Sequence, residues 1–406
     1  MKGHPNRPLR PGLSVMSPTS VLITTIAVAT LLFTTTAFAA CEIQSEQAQK
    51  LVWNQQVGFQ KIRHHIGGYL QVRGGWVDQD RRRASITTKK ARSGLYLEEA
   101  ELRYCLEGQD HRGFGYGAKL ELNVGIGDDF VVDEAVVYFK SDRWGRLEFG
   151  AEDGAEDALE VGGDRVAPGT GLYDGDFTVY LNEQMTFGNA SIAPNVANDS
   201  GDNIKLSYYT PRVAGFKFGV SYTPKVYNEG VTDPRETYYD HIGIGANYIR
   251  EFGGDNSFKA SVHYSSARHK RQNEPYLDSV FPELSDERSL HAATSLALEN
   301  YEFSVNASLL GDGGFESRGR GDNGWNTGAI VAYNYGAGKI GIGAAYAEAT
   351  NALGKYDEIT YLGLAADYYL NDYIKFVADI HHIDSSRGGF KENDALIFVA
   401  GTEVSF

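Results

Sequence analysis

The sequence predicts an all-β protein, a 16-stranded antiparallel transmembrane β-barrel, and three observations lead there. Apolar and polar residues alternate with a period of two in one stripe after another, as in a strand with one dry and one wet side. The connections between stripes sort alternately into tight turns and long loops. Aromatic residues fall on the apolar side near both ends of the stripes, where the two interfaces of a bilayer would lie. A chain of 406 residues with 47 Gly, 25 Tyr and 20 Phe suits many short strands, and a mean hydropathy of −0.35 is compatible because such a barrel shows lipid only every second residue.

At the start of the chain Lys2, Arg7 and Arg10 precede an apolar run from about Val21 to Phe33 and then Ala37-Phe38-Ala39-Ala40. This predicts a signal peptide over residues 1–40. Its removal would take away three positive charges and no acids, moving the formal charge from −15 to about −18 and arguing against a nucleic-acid partner. No other stretch approaches the eighteen apolar residues of a membrane helix. Residues 41–63, rich in Gln and Glu around Leu51, Val52 and Trp53, are predicted to be a periplasmic segment with a short helix.

The barrel is expected over residues 64–406. Its first stripe runs from Ile66 to Trp76 and alternates with Tyr69, Gln71 and Arg73. The second, Tyr96 to Leu106, alternates with Glu99, Glu101 and Arg103. The third, Tyr116 to Leu122, alternates with Lys119 and Glu121. The fourth, Ala135 to Phe139, carries Glu134, Tyr138 and Lys140 on its other side, and the fifth, around Leu147 and Phe149, carries Arg146 and Glu148. Eleven more stripes begin at Ile204, Phe216, Ile242, Phe258, Leu290, Tyr301, Thr327, Ile340, Leu362, Ile374 and Leu396. Tight turns are expected at Gly108–Arg112, Ser141–Trp144 and Pro211–Ala214 and near Gly253, Asn300, Gly336 and Asn371, all at one end of the barrel. Tyr104, Tyr208, Tyr248, Tyr301, Tyr333 and Tyr368 form the turn-side aromatic girdle, and Trp76, Tyr96, Tyr222, Tyr264 and Tyr346 the loop-side one.

Between the fifth and sixth stripes lies a long insert, Glu152 to Asp202, with eleven acids against Arg165 alone. It also keeps Leu159, Val161, Leu172, Tyr173, Phe177 and Tyr180, so it must pack against something.

The closing stripe Leu396, Phe398, Ala400, Thr402, Val404 and Phe406 looks like the assembly signal of bacterial outer-membrane barrels. With sixteen stripes, a long fifth connection, Asp133-Glu134-Ala135 and Ser207-Tyr208-Tyr209-Thr210-Pro211 followed by Gly215-Phe216, the chain resembles the Gram-negative general diffusion porins. The resemblance implies a homotrimer of water-filled barrels in the outer membrane, each narrowed by residues 152–202 folding inward, and passive diffusion of ions and small hydrophilic solutes with no enzymatic activity. Residues 41–63 depart from many members.

If the apolar stripes face lipid, the polar stripes face water and place Arg73, Arg103, Lys119, Lys140, Arg146, Lys205, Lys217, Lys259 and Lys375 on the lumen wall. Near-balancing carboxylates include Glu101, Glu107, Glu121, Asp367, Asp379 and Glu403, so the insert decides the sign. One uncompensated charge about 8 Å from an ion, at an effective dielectric of about 20, is worth about 2 kcal/mol before screening. The expected constriction therefore sets Glu152, Asp153, Glu156, Asp157 and Glu160 across the pore from Arg73, Arg103 and Lys119, and predicts cation preference. The alternatives are a phosphate-selective porin, which would need a basic ladder at the constriction, and an outer-membrane barrel enzyme or adhesin. The basic loop with Arg81, Arg82, Arg83, Lys89, Lys90 and Arg92 suits lipopolysaccharide phosphates.

No cofactor is required; Asp174, Asp176 and Glu183 are candidates for a Ca²⁺ site, the clustered carboxylates suiting a hard cation. The pairs His64-His65 and His381-His382 fall at opposite ends of the strands and should not meet. Cys41 and Cys105 could form one disulfide pinning the N-terminal segment, with lipidation of Cys41 as its rival.

Overall fold

The computed structural model describes residues 51–57, 60–79, 92–123, 131–181, 199–227, 237–269, 286–311, 322–350, 356–386 and 393–406. Every strand pairs antiparallel with its neighbour in sequence, from β2 (Gln60–Gln79) and β3 (Gly94–Gln109) through to β17 (Asn393–Ser405). β17 then pairs with β2, from Ala395 opposite Gln79 to Ser405 opposite Tyr69, and two hydrogen bonds between Gly68 and Phe406 lock the seam at 2.9 and 3.0 Å. β2 to β17 thus form a closed 16-strand barrel with no free edge along the seam. Between them lie β4 (Gly115–Asn123), β5 (Val131–Ser141), β6 (Gly145–Ala151), β7 (Ile204–Tyr209), β8 (Phe216–Tyr227), β9 (Thr237–Gly253), β10 (Asn256–His269), β11 (Glu287–Leu298) and β12 (Tyr301–Gly311). β13 (Asp322–Asn334), β14 (Lys339–Thr350), β15 (Tyr356–Asn371) and β16 (Ile374–Ser386) complete it. The short connections fall where the sequence put them, as between Leu298 and Tyr301 or Asn371 and Ile374.

The apolar stripes form the outer surface. Phe218, Val220, Ile242, Ile244, Val305, Ile342, Leu362 and Leu364 are each 44–54% exposed, a continuous apolar band that is unfavourable in water and favourable in lipid. Ring pairs Tyr301–Tyr333 at 5.0 Å and Trp325–Tyr346 at 5.2 Å sit near the two ends of this band.

Two expectations are corrected. Leu51–Val57 is not helical but forms a strand, β1, in a hairpin with β2, from Leu51 opposite Ile66 to Val57 opposite Gln60. β17 covers β2 only as far as Tyr69, so the earlier part of β2 would present unpaired amides; β1 takes up that edge, and the sheet begins at Gln60 rather than residue 64. Tyr96 does not join the outer girdle. A bulge skips Glu98, with Gln71 opposite Glu99 but Val72 opposite Leu97, and this reverses the facing beyond it. Leu95 and Leu97 turn outward, and Tyr96 turns in to meet the ring of Tyr180 at 5.3 Å.

Cys105 is buried and disulfide-bonded; its expected partner Cys41 lies outside the described residues. So do the proposed signal peptide, Arg81 to Lys90 and Glu183, while the side chains of Asp174 and Asp176 are likewise undescribed. His64 bonds the Tyr104 hydroxyl at 2.8 Å and His381 stacks on Phe177, so the two histidine pairs have separate surroundings.

Candidate pore constriction

The insert after β6 folds into the barrel and lies along its inner wall. A single helical turn, α1 (Ala155–Ala158), packs on β8, β9 and β10. A 3-10 turn at Gly163–Arg165 follows on β12 and β13, another at Leu172–Asp174 on β14 and β15, and a third at Asp176–Tyr180 on β17 and β2. The described loop elements thus line the sectors from β8 round to β2, opposite the sector of β3 to β6.

Wall side chains satisfy the loop backbone at intervals, as buried amides require. Gly163 N–H donates to Ser304 Oγ at 3.0 Å and Asn306 Oδ1 at 3.1 Å. Gly169 N–H donates to Asp367 at 2.8 Å and Thr170 N–H to Asp379 at 2.9 Å, so these two carboxylates hold the loop rather than charge the lumen. Asn247 donates to the Leu159 carbonyl at 2.9 Å. Lys205, buried at the foot of β7, donates to the carbonyls of Glu152 and Gly201 and so ties the two ends of the insert together.

The apolar residues of the insert have their partner. Val166, Leu172, Tyr173, Phe177, Tyr180 and Leu181 form one core with inward side chains of β13 to β17, among them Ile330, Ile359, Tyr361, Ile383, Ile397 and Val399. This corrects the picture of a uniformly polar lumen: besides the polar anchors Asp367 and Asp379, these strands carry large apolar residues on the face toward the loop as well as on the face toward lipid. Burying each of the larger loop side chains contributes about 1.5–3 kcal/mol. Where α1 approaches, the wall is trimmed instead. A Cβ on Gly245 would collide with the Ala155 carbonyl, and one on Gly243 with the Glu156 carboxylate.

The five candidate acids divide. Glu156 is fully buried and turned into the wall, accepting from Ser200 N–H at 3.1 Å, Ser200 Oγ at 2.8 Å and Ser221 Oγ at 2.7 Å, with His241 Nδ1 at 3.8 Å. Burial alone would raise its pKa, but His241 and these donors hold it below the usual carboxylate range. Glu160 likewise meets His291 Nε2 at 2.9 Å and the Asn306 amide. Glu156 is withdrawn from the ion path, and Glu160 keeps only 7% of its surface. Glu152 pairs with Lys119 at 2.7 Å, so the two lie side by side rather than across the pore. Asp153 and Asp157 keep partial exposure. Burial, with Asp153, Asp199 and Glu160 nearby, pushes Asp157 well above the ordinary aspartate range, and burial with Asp153 and Asp133 brings Asp202 up to about 7.

The β3–β6 wall carries one extended ionic network and two separate ion pairs. Arg103 bridges Glu101 and Glu121; Lys119 meets Glu121, Glu134 and Glu152; Lys140 meets Glu107 at 2.8 Å; Arg146 meets Glu148. The cations retain 16–24% of their side-chain surface whereas Glu101, Glu107, Glu121 and Glu148 keep 4–7%, so the basic tips stand in front of these four carboxylates, while Glu134 and Glu152, at 13% and 17%, stand level with them. Arg73, on β2, is buried and donates to Gln71 at 2.7 Å. Of the expected basic set, Arg103 and Lys119 are brought together and Arg73 is set apart from them.

Two kinds of residue escaped the sequence: the buried anchors His241, His291 and Ser221, and the inward glycines of β9. The second had a signal, since Gly243 and Gly245 occupy alternate positions on the polar side of their stripe.

Comparison with known proteins agrees with this architecture. The family model described as Gram-negative porin matches residues 25–388. Among solved structures, a loop-deletion form of OmpT, an outer membrane protein of Vibrio cholerae, superposes with a TM-score of 0.58 at 11% identity over 85% of this chain and 99% of that one. An anion-selective porin from Comamonas acidovorans gives 0.57 at 14% identity, over 85% and 100%. In sequence, the uncharacterized protein RC0098 of Rickettsia conorii is 33% identical over 107 residues, which is 23% of this chain; the match spans 24% of that relative. A Rickettsia felis protein is 32% identical over the same shares. The match of that family model over most of its length, joined to a closed 16-strand barrel with a folded-in fifth connection, shows that the chain belongs to the Gram-negative porin family.

Proposed function

We propose that the protein is a trimeric outer-membrane channel for passive diffusion of ions and small hydrophilic solutes, with a preference for cations that grows as pH rises. The observation that carries the channel reading is the division of the lumen: the insert is bonded to one side of the wall, and a charged wall remains on the other. A path between them would run past partly exposed charges rather than a fixed binding site, which suits diffusion.

The preference rests on a count of groups along that path. Glu101, Glu107, Glu121, Glu134, Glu148 and Glu152 outnumber Arg103, Lys119, Lys140 and Arg146, and Asp153 and, above about pH 7, Asp202 add to the negative side. The exposed basic tips weaken the effect, and Asp202, raised to about 7, loses its negative charge below neutral pH. Planar-bilayer recording tests both claims. Ohmic steps with a reversal potential of cation sign in a KCl gradient are expected; silence would sink the channel reading, and anion selectivity at pH 8 would sink the preference. Three-fold assembly draws on the trimer form of the Vibrio cholerae OmpT, and cross-linking with mass measurement in detergent checks it.

A further inference from the structure

We propose that a cavity beneath the constriction loop, on its turn side, is a binding subsite for a small oxyanion. The cavity holds about 290 Å³ and lies between the loop segment Ala158–Val166 and the inner wall of β8 to β12. Four cations line it: Arg165 from the loop, Arg212 from the turn between β7 and β8, Lys217 from β8 and Lys259 from β10.

The pairing pattern sets these four apart from most of the lumen's cations. Along the rest of the lumen Arg103, Lys119, Lys140, Arg146, Lys339 and Lys375 each meet a carboxylate. Among the described residues no carboxylate forms an ion pair with Arg165, Arg212, Lys217 or Lys259. The two acids of the cavity are engaged elsewhere, Glu302 with Lys339 at 2.9 Å and Glu160 with His291 at 2.9 Å. Lys217 stands in the field of Arg146 and Arg212, both of its own sign, with Glu148 as the opposing charge; its ammonium lies 5.2 Å over the Tyr209 ring, and Arg212 donates to the Gly215 carbonyl at 2.7 Å. Four cations against two carboxylates that are already engaged leave an excess of positive charge in the cavity, which a bound anion would offset.

The geometry suits a compact ligand. Lys217 pairs in register with Asn247 on β9, and Lys259 with Ile249 on the same strand, so the two lysines flank β9 about 10 Å apart across the sheet and about 7 Å apart along it. Their flexible stems can converge on one anion, while Arg165 offers a planar fork from the opposite, loop side. Ser295, opposite Lys259 in register, adds a hydroxyl to the same lining. Phosphate, sulfate or a short carboxylate shares this chemistry; a bulky or apolar solute does not. Lying past the carboxylates of the constriction, such a subsite would give anions a resting point in a channel that otherwise disfavours them.

Access to the cavity rests on the channel reading, and the test separates the two. Equilibrium dialysis of the full-length protein in detergent with inorganic phosphate, at fixed ionic strength, is expected to show saturable binding. Replacing both lysines, Lys217→Gln with Lys259→Gln, should raise the dissociation constant about tenfold or more, and Lys217→Arg with Lys259→Arg should restore it. Heat stability of the folded barrel on gels controls for misfolding. Absence of saturable phosphate binding, or binding that the double Gln variant leaves unchanged, overturns the proposal. In bilayers, phosphate added on the turn side should reduce KCl conductance at lower concentration than phosphate added on the loop side. Pores that respond equally from both sides count against the subsite, whereas a failure to form pores counts against the channel and leaves dialysis to decide the subsite.

Discussion

Removing the Glu156 carboxylate should free the first part of the constriction loop. In Glu156→Ala the three donors from Ser200 and Ser221 lose their acceptor, and His241 loses its neighbouring charge. Hydrogen bonds to a charged acceptor contribute about 1.5–3 kcal/mol each, but water entering the vacated space would recover part of this, so a net loss of about 3–5 kcal/mol in docking energy is expected. That corresponds to a shift of at least about a hundredfold between docked and undocked states. The effect should stay local, because Gly163, Gly169 and Thr170 keep their own partners on β12, β15 and β16. Hydrogen exchange followed by mass spectrometry reads it directly: the amides of Asp157, Ala158 and Glu160, bonded to Gly154 and Asp157 carbonyls, should exchange about two orders of magnitude faster. Glu156→Gln, which keeps one acceptor oxygen, should change much less. Equal protection of these amides in wild type and Glu156→Ala would refute the anchoring role.

Three further outcomes are expected. Gly245→Val should displace α1 by steric collision with Ala155, giving noisier single-channel currents while barrel strand content by circular dichroism stays unchanged. Phe177→Ala should cost about 3–5 kcal/mol, since Phe177 is buried between Tyr361 at 5.6 Å and His381 at 4.5 Å, and proteolysis within the loop should then precede barrel unfolding. The ratio of cation to anion permeability should rise between pH 5 and pH 9, because Asp202 is held neutral below about 7 and becomes charged above it; Asp202→Asn should flatten that rise in reversal-potential measurements.

The barrel was legible because a two-sided strand writes its facing into every second residue, and lipid demands that side be apolar without interruption. Tyr96 escaped because one bulged residue inverts the alternation, and nothing local in Gly94 to Leu97 marks it. β1 escaped because its reason is an edge on β2 that exists only once β17 has closed the barrel. The loop was recognised as packed and acidic, yet which acids face water depends on partners far away: Glu156 meets Ser221, 65 residues on, and Glu160 meets Asn306, 146 residues on. What could have been read is the strands themselves. Ile330, Tyr361, Ile383 and Ile397 are large apolar residues on the side expected to be wet, and a strand apolar on both faces announces that something covers it.

The central claim is that solutes pass between the loop and the β3–β6 wall, and paired cysteine probes test it most directly. Cys105 is disulfide-bonded, so a new thiol at Lys140 on β5 or at Ala347 on β14 would be the reactive one. A charged methanethiosulfonate added during bilayer recording should step the conductance down in Lys140→Cys and leave Ala347→Cys, fully buried beneath the loop, unaffected. Ready block through Ala347→Cys with an inert Lys140→Cys would contradict the account.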